Sequence, residues 1–273
     1  MSTASARTLL FVPGDRPDRF DKAAAAGADL VVLDLEDAVA PEAKDRARDE
    51  VAGWLRTTTV PTAVRVNGAD SPWHDADLAA LADLPCTVVL PKAQDPALVA
   101  ETVDALGEGS AVVALLETAR GILRAERIAA VPGVVRLALG TYDLAAELGV
   151  DPDDPSAMAA ARGVLVLASA AAGLAGPVDG VTGDVRDTDR LVTDVRRAAA
   201  LGFAGKLCIH PAQVTPTAAA FATDADDVAW AHRVVAAAEA AGDGALLVDG
   251  RMVDRPVVDR ARRILTTTIG GTS

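Results

Sequence analysis

Residues 28–48, ADLVVLDLEDAVAPEAKDRAR, contain one structural unit from which the fold of the whole chain can be inferred. The apolar, β-branched run Leu30–Leu35 predicts a strand, and charged residues follow it directly. A continuous apolar run is typical of a parallel strand that is buried on both faces. Further along, Ala40-Pro41-Glu42 places a proline and an acid in a first helical turn, which favours a helix start. The stretch therefore predicts a buried strand, a charged loop and a helix.

The same unit recurs along the chain. Between the strands, Ala97–Leu106 and Asp187–Leu201 have apolar residues at helical spacing, and Gly107 and Gly202 follow them as stop signals. Eight such units in this length predict an α/β fold of the (β/α)₈ TIM-barrel type. An open doubly wound sheet is disfavoured because no GxGxxG motif follows the first strand. The predicted strands are Leu9–Val12, Leu30–Leu35, Ala63–Val66, Thr87–Leu90, Val112–Leu115, Leu137–Leu139, Val178–Val181 and Lys206–Ile209.

The end of the chain exceeds what a barrel needs. No linker is visible, so we predict a single TIM-barrel domain over residues 1–273, with residues 224–273 as a C-terminal extension. Asp224–Ala241 predicts a helix that ends at Gly242. Residues 244–265, GALLVDGRMVDRPVVDRARRIL, predict two short apolar runs joined by a glycine-containing turn, and then a final helix. We expect this extension to pack outside the barrel or on a neighbouring subunit.

Composition excludes several classes of protein. The 273 residues include 26 Lys+Arg and 39 Asp+Glu, a net charge of −13, which argues against binding to nucleic acid or anionic membranes. A content of 51% hydrophobic and 24% charged residues is that of a folded protein. Cys86 and Cys208 form no CxxC motif, so we expect buried free thiols. No signal-peptide pattern and no membrane-length apolar stretch is visible, so we expect a cytoplasmic protein.

Each predicted strand is followed by polar or charged residues, at the end where TIM barrels have their active sites. Because an unpaired buried charge is costly, such a collection indicates binding or catalysis. Glu117 and Asp143 follow neighbouring strands, and two carboxylates without His or Cys favour Mg²⁺, which retains several waters. The strand-end residues are Asp15, Arg16, Asp34, Glu36, Asp37, Arg65, Asn67, Lys92, Glu117, Asp143, Asp179, Asp184 and His210.

Three of these residues have alternative interpretations. Arg65 can clamp a substrate carboxylate with two hydrogen bonds, or pair with one of the two acids Glu36 and Asp37, and both roles are compatible. Lys92 could form an imine with a carbonyl substrate. We favour an ion pair with a carboxylate such as that of Glu117, because an acidic site keeps a lysine charged.

His210 is the third residue with two interpretations. A histidine at a strand end is often a hydrogen-bonded part of the scaffold, and Pro211 and the preceding apolar run suggest a position on the barrel floor. We therefore favour a structural role for His210 over a catalytic one.

Nine short motifs occur in a fixed order, namely LLFVPGDRPDRF (9–20), ADLVVLDLEDAVAPEAKDRAR (28–48), VRVNG (64–68), VVLPKA (88–93), LLETARG (115–121), LGTYDLAAELG (139–149), DGVTGDVRD (179–187), GFAGKLCIHPAQV (202–214) and DGRMVDRPVV (249–258). From about Arg7 to Arg262 the chain thereby resembles the citrate lyase β-subunit-like proteins of the HpcH/HpaI aldolase superfamily. That superfamily includes malyl-CoA and citramalyl-CoA lyases. The resemblance implies a Mg²⁺-dependent lyase that cleaves or forms a carbon–carbon bond in a β-hydroxyacyl thioester. It also implies a homotrimer or a dimer of trimers.

The resemblance also implies roles for individual residues. The metal ligands of the family fall on Glu117 and Asp143, the pair selected above, and its substrate-binding arginine falls on Arg65. Gly140 and Thr141 resemble the backbone element that meets the substrate carboxylate.

Further roles concern the surroundings of that site. Arg16 resembles the position beside the CoA thioester, and Glu36 and Asp37 resemble acids that hold metal-bound waters and Arg65. Asp254 of the MVDRP motif resembles an acid that some members insert into a neighbour's active site. For the general acid or base, Asp254 is our first choice and Glu36 acting through a water is the second.

The substrate is left open by the sequence. Tyr142 stands where many relatives have a second acid, which changes the surroundings of the metal or the size of the pocket. The leading hypothesis is a lyase acting on citramalyl-CoA, malyl-CoA or citryl-CoA, which yields acetyl-CoA and a 2-oxoacid. The alternatives are a citrate lyase β subunit acting on a citryl thioester of an acyl carrier protein, a metal-dependent aldolase on free hydroxy-oxo acids, and a non-catalytic acyl-CoA binding protein.

Overall fold

The computed structural model describes residues 3–84, 86–107, 109, 111–241 and 246–269. The chain divides into two compact units, residues 1–221 and residues 222–273. In the first unit, eight parallel strands close into a barrel in sequence order, and each is followed by at least one helix, which confirms the predicted TIM barrel. The strands are β1 Thr8–Pro13, β2 Leu30–Asp34, β3 Thr62–Arg65, β4 Thr87–Leu90, β5 Ala111–Leu116, β6 Val134–Leu139, β7 Val178–Asp179 and β8 Gly205–Cys208.

The helices of the first unit follow the strands. Three short 3₁₀ turns lie directly before helices, and a fourth lies before the first strand. The α-helices are α1 Phe20–Ala24, α2 Lys44–Leu55, α3 His74–Leu81, α4 Pro96–Leu106, α5 Ala119–Leu123, α6 Ala125–Ala129, α7 Thr141–Leu148, α8 Ala159–Ala171, α9 Thr188–Leu201 and α10 Val214–Ala220. The 3₁₀ turns are Thr3–Ser5, Pro17–Arg19, Pro41–Ala43 and Pro211–Gln213.

Both faces of the strands are buried, as the continuous apolar runs predict. Successive residues of a strand point to opposite faces, and they divide between two apolar clusters. Leu9 and Val32 belong to a small cluster formed largely by strand residues, which is the barrel interior. Leu10 and Val31 belong to a large cluster that includes helical residues such as Val51, so this cluster lies between strands and helices. Two layers of core therefore hold the strand ends in place.

The predicted end of β7 is wrong by two residues. The apolar run extends to Val181, but the strand ends at Asp179. The carbonyl oxygen of Gly180 accepts a hydrogen bond from Lys206 Nζ, so it is not paired with a neighbouring strand. Asp179 also accepts a hydrogen bond from Arg162 Nε at 2.8 Å, and this buried pair anchors the short strand.

The second unit is a helix, a hairpin and a helix, as the sequence predicts for residues 224–265. Helix α11, Ala225–Ala241, precedes strands β9, Leu246–Val248, and β10, Arg251–Val253, which pair antiparallel. Asp249 and Gly250 join the strands with positive φ angles of 52° and 74°, as a tight hairpin turn requires. Helix α12, Arg255–Ile269, completes an apolar cluster within the unit. Gly242, the predicted end of α11, lies outside the described residues.

Two further expectations concern the cysteines and the membrane. Cys86 and Cys208 are free and buried, as predicted. Burial raises the pKa of both thiols to about 11, so neither is a reactive thiolate at neutral pH. In the part of the chain that the structure describes, no helix combines the length and apolar character needed to cross a membrane.

Candidate active site

A cavity of about 420 Å³ opens at the carboxyl ends of the barrel strands. Apolar residues of the barrel interior, such as Phe11, Leu115 and Leu207, line part of it. The charged residues that line it are Asp34, Asp37, Arg65, Glu117 and Asp143. Four carboxylates and one cation thus face the cavity, although they come from the ends of four different strands. The site therefore suits a cation together with an anionic substrate.

The main partner of Arg65 is Asp34, whereas the sequence suggested Glu36 or Asp37. Its Nε and Nη2 donate to the two carboxylate oxygens of Asp34 at 2.7 and 2.6 Å. Its Nη1 lies 3.1 Å from Glu36 Oε2 and 3.7 Å from Asp37 Oδ2, so the two predicted partners are present as well. Burial alone would lower the pKa of Arg65, but Asp34 outweighs burial and raises it.

This arrangement fixes the orientation of the guanidinium. Arg65 and Asp34 lie opposite each other on paired strands, so their contact follows from the register of β2 and β3. The guanidinium also lies 5.0 Å from the centre of the Phe11 ring. The Nε edge is occupied by Asp34 and Nη1 lies against Glu36, so acids hold the guanidinium from two sides.

Glu36 lies in the wall beside the cavity rather than in its lining. Its Oε1 accepts a hydrogen bond from Lys92 Nζ at 2.7 Å, and its Oε2 lies 3.1 Å from Arg65 Nη1 without an aligned hydrogen bond among the described residues. Burial raises the pKa of Glu36, although the charge of Arg65 and the bond from Lys92 oppose the shift. The predicted ion pair of Lys92 is confirmed, but its carboxylate is that of Glu36 and not that of Glu117.

Glu117 is almost fully buried at the end of β5. Its Oε1 accepts a hydrogen bond from the backbone N–H of Lys92 at 2.9 Å. Burial, together with the negative charges of Glu36 and Asp143, raises the pKa of Glu117 to about 8. A carboxyl group so far from its ordinary value of 4.5 has a deficit of positive charge nearby. Such a deficit is what a bound cation would balance.

Gly140 makes room for Glu117. A Cβ at position 140 would lie 2.5 Å from the Cβ of Glu117 and closer still to its Oε2. The adjacent Thr141 is buried, lines the cavity, and its hydroxyl has no hydrogen-bond partner within the described residues. It begins helix α7, whose first turn also contains Asp143. The hydroxyl of Thr141 is therefore available to a ligand.

The donor set fits Mg²⁺ better than zinc. Among the described residues, no three His, Cys, Asp or Glu side chains cluster in a way that could hold a metal ion. Of the four carboxylates at the cavity, Asp34 and Asp37 lie at Arg65, whereas Glu117 and the exposed Asp143 do not, and Mg²⁺ completes such a pair with waters and substrate oxygens.

Other predicted residues lie outside the cavity lining. Arg16 pairs with Asp18 at 2.9 Å and is 44% exposed. His210 is exposed and not on the barrel floor, and its Nδ1 accepts a hydrogen bond from Ala212 N at 3.2 Å. That contact caps the turn after β8 and agrees with the structural interpretation of His210. Asp254 lies in the second unit, where its side chain accepts a hydrogen bond from Val257 N at 3.3 Å at the start of α12.

Tyr142 lines the cavity and is 43% exposed. Its hydroxyl occupies the space beside Gly183, where any Cβ would overlap it. Burial raises the pKa of Tyr142, so the phenol is neutral at physiological pH. The residue that replaces the second acid of many relatives is therefore an uncharged wall of the cavity.

Comparison with known proteins identifies the family. Residues 7–211 match the model of the HpcH/HpaI aldolase/citrate lyase family, and the chain belongs to this family. It is 38% identical over 271 residues to the (3S)-malyl-CoA thioesterase of Cereibacter sphaeroides strain KD131, covering 95% of this chain and 93% of that protein. It is 40% identical over 266 residues to the citrate lyase subunit beta-like protein of Mycobacterium tuberculosis, covering 94% and 93%.

A solved structure is similar over almost the whole chain. CitE from Mycobacterium tuberculosis, in complex with magnesium, acetoacetate and coenzyme A, has a TM-score of 0.85 and 38% sequence identity. The match covers 97% of this chain and 99% of that chain. The family resemblance in the sequence and the predicted barrel are thereby confirmed.

The space above Gly140 provides the first test of the site. We expect Gly140→Ala to weaken Mg²⁺ binding by about 10- to 100-fold, because the added methyl group displaces the carboxylate of Glu117. Isothermal titration with Mg²⁺ measures this effect. Gly163→Ala in α8 is the matched control, since a Cβ there meets nothing within 4 Å. Unchanged affinity in Gly140→Ala would show that the position of Glu117 does not matter to the metal.

The pKa of Glu117 predicts that metal binding depends on pH. Its ordinary pKa is 4.5 and its pKa in the folded, metal-free protein is about 8, so the carboxyl is protonated at pH 7. A ligand must lose its proton, so affinity for Mg²⁺ should rise about tenfold per pH unit between pH 6 and 8 and then level off. Titrations in two buffers of different ionisation enthalpy count the released protons. An affinity that is constant over this range would contradict the assignment of Glu117.

Proposed function

We propose that this protein is a Mg²⁺-dependent carbon–carbon lyase acting on a β-hydroxyacyl-CoA thioester such as citramalyl-CoA, malyl-CoA or citryl-CoA. The products of cleavage would be acetyl-CoA and a 2-oxoacid. The observation that carries the proposal is the convergence of Glu117 and Asp143 with Arg65 on one cavity at the strand ends. The relatives support it, since one is named a malyl-CoA thioesterase and another was solved with magnesium, acetoacetate and coenzyme A.

In this proposal Glu117 and Asp143 hold Mg²⁺. The ion would supply Lewis acidity, which lowers the pKa of the substrate hydroxyl and polarises the carbonyl that forms from it. Glu117 would act in its ionised form, and Lys92 N–H would keep its Oε1 in place. This leaves Oε2, above Gly140, as the oxygen free to bind the metal.

Arg65 and Thr141 would bind the acid portion of the substrate. Asp34 and Glu36 hold Arg65 in place, and an N–H of its guanidinium would donate to the substrate carboxylate and stabilise the negative charge that develops during cleavage. The unpartnered hydroxyl of Thr141 and the backbone at Gly140 would meet the same carboxylate. Neither group has to reorganise, because both are fixed by the barrel.

The proton transfers need a further group. Glu36 is a candidate that acts through a water, because its Oε2 accepts no aligned hydrogen bond among the described residues and burial raises its pKa. Asp254 is the preferred candidate if the protein forms the homotrimer or dimer of trimers that we propose. In that assembly Asp254 of one copy would serve the cavity of a neighbouring copy, and Arg16 would lie beside the thioester.

The experiment that tests the proposal is acetyl-CoA release from citramalyl-CoA of both stereochemistries, malyl-CoA and citryl-CoA, with Mg²⁺ and with EDTA. We expect Mg²⁺-dependent release from at least one of them, and none from the Asp143→Asn variant. Release that is insensitive to EDTA would contradict the metal-dependent mechanism. No release from any of these thioesters would contradict the proposal, and citryl bound to an acyl carrier protein would then be the next substrate.

A role for Asp254 in a neighbour's site makes a separate prediction. Asp254→Asn should lower turnover by about 100-fold without changing thermal stability, because asparagine still caps α12. Mixed oligomers of Asp254→Asn and Glu117→Gln should recover part of the activity, since some cavities then combine an intact Glu117 with an intact Asp254. Each variant mixed only with itself is the control. Full activity in Asp254→Asn would exclude a catalytic role for Asp254 and show that it serves only to cap α12.

A further inference from the structure

The backbone of Lys92 has an unusual left-handed conformation. Its φ angle is +49°, in the left-handed region that disfavours residues other than glycine. Among the described residues other than glycine, Asp249 alone shares a positive φ, and it lies in the tight hairpin turn of the second unit. Lys92 follows β4 in an ordinary loop at the site. An unfavourable conformation at such a position points to a functional constraint.

The left-handed conformation lets one residue hold two glutamates. The backbone N–H of Lys92 donates to Glu117 Oε1 at 2.9 Å, and its Nζ donates to Glu36 Oε1 at 2.7 Å. The backbone N–H of the next residue, Ala93, donates a hydrogen bond to the carbonyl oxygen of Leu115 on β5. Lys92 thus connects the end of β2 with the end of β5 through two separate atoms.

The two glutamates differ in what their oxygens face. Both oxygens of Glu36 are turned to cations, Oε1 to Lys92 and Oε2 to Arg65 Nη1 at 3.1 Å. Glu117 receives one backbone N–H on Oε1, its Oε2 lies against Gly140, and it forms no ion pair among the described residues. Both carboxylates are buried and close enough for the charge of Glu36 to act on Glu117. A divalent cation in the cavity would attract either of them if both were free.

We propose that Lys92 is a positioning residue that assigns the metal to Glu117 and keeps Glu36 on Arg65. Its N–H fixes the carboxylate of Glu117, while its ammonium holds Glu36 away from the metal position. The inference rests on the proposed role of Glu117 as a metal ligand. It explains why two buried glutamates at the same end of the barrel have different roles.

The test uses Lys92→Gly, because glycine adopts the positive φ without strain and retains the N–H to Glu117. The probe is Mn²⁺ alone, followed by electron paramagnetic resonance in the absence of substrate. With Glu36 released to the metal, we expect Mn²⁺ to bind about tenfold more tightly and kcat to fall about 100-fold. The conservative variant Lys92→Arg keeps a cation on Glu36 and should restore Mn²⁺ affinity to within about threefold of the wild-type value.

A double variant separates positioning from the mere loss of a positive charge. If Glu36 causes the tighter binding, Lys92→Gly/Glu36→Gln should bind Mn²⁺ no more tightly than Glu36→Gln alone. An equal gain in both backgrounds would mean that only a nearby charge was removed, and would overturn the proposal. Wild-type Mn²⁺ affinity in Lys92→Gly would overturn it as well.

Failure of the proposed function gives a different result from failure of this inference. A protein that cleaves no thioester, yet shows the expected Mn²⁺ shifts, would lose the proposed function and keep the inference about Lys92. A protein that cleaves a thioester with Mg²⁺, yet shows no Mn²⁺ shift in Lys92→Gly, would keep the function and lose the inference.

Discussion

Replacing Glu117 by glutamine is expected to abolish measurable Mg²⁺ binding and to lower turnover by about 1,000-fold or more. The amide keeps an oxygen for the Lys92 N–H but places a neutral group where the free carboxylate oxygen lies above Gly140. At the same time the metal-free variant should be more stable to heat than the wild type. The wild type holds a carboxyl whose pKa is raised to about 8 by burial, and ionising it in the folded state costs free energy.

The sign of that stability change follows from the pKa values. Between pH 4.5 and 8 the carboxyl of Glu117 is ionised in the unfolded chain and protonated in the folded one, so the wild type loses stability as pH rises through this window. Glutamine removes that loss. Thermal melts at pH 5 and pH 8 with EDTA measure it, and the gain in Glu117→Gln should be larger at pH 8. If Glu117→Gln is less stable than the wild type at pH 8 and still binds Mg²⁺, the assignment of Glu117 as a metal ligand is refuted.

Arg65→Lys is expected to reduce turnover by about 100- to 1,000-fold, although the positive charge is kept. An ammonium group cannot bond both oxygens of Asp34 and present a second edge to a substrate carboxylate. Asp34 is 1% exposed, and although the backbone N–H groups of Glu36 and Ala38 also donate to its oxygens, the buried carboxylate would lose part of the positive charge that compensates it. We expect a loss of stability of about 2 kcal/mol in addition to the loss of activity.

Arg190→Lys is the matched control for this substitution. Arg190 also pairs with two acids, Asp194 at 3.1 Å and Asp153 at 3.4 Å, but its side chain is 36% exposed. Exposed ion pairs contribute little, so we expect a stability change within about 0.5 kcal/mol and normal turnover. Steady-state kinetics and urea denaturation compare the two variants. Near-normal turnover in Arg65→Lys would remove Arg65 from the catalytic site.

Much of the fold was predictable because its signal is local. Runs such as Leu30–Leu35 are apolar on both faces, which only a buried parallel strand satisfies, and their recurrence between helical stretches indicates a barrel. The positions of Glu117 and Asp143, two of the four carboxylates that line the cavity, were also predictable. Glu117 directly follows β5 and Asp143 lies in the first helical turn after β6, and the carboxyl ends of barrel strands converge.

The contacts that tune the site were decided by the tertiary structure alone. Asp34 was visible at a strand end, but its pairing with Arg65 depends on the register between β2 and β3. The bonds of Lys92 to two glutamates depend on a positive φ angle, which no pattern in the sequence indicates for a lysine.

The sequence by itself therefore determined the strands, their order and the acids gathered at their ends, because these depend on the burial of residues close together in the chain. Only the tertiary structure decided which acid holds Arg65, which glutamate remains free and why residue 140 is a glycine. Those answers depend on distances of a few ångströms between strands, and such distances are set by barrel closure and side-chain packing rather than by local periodicity.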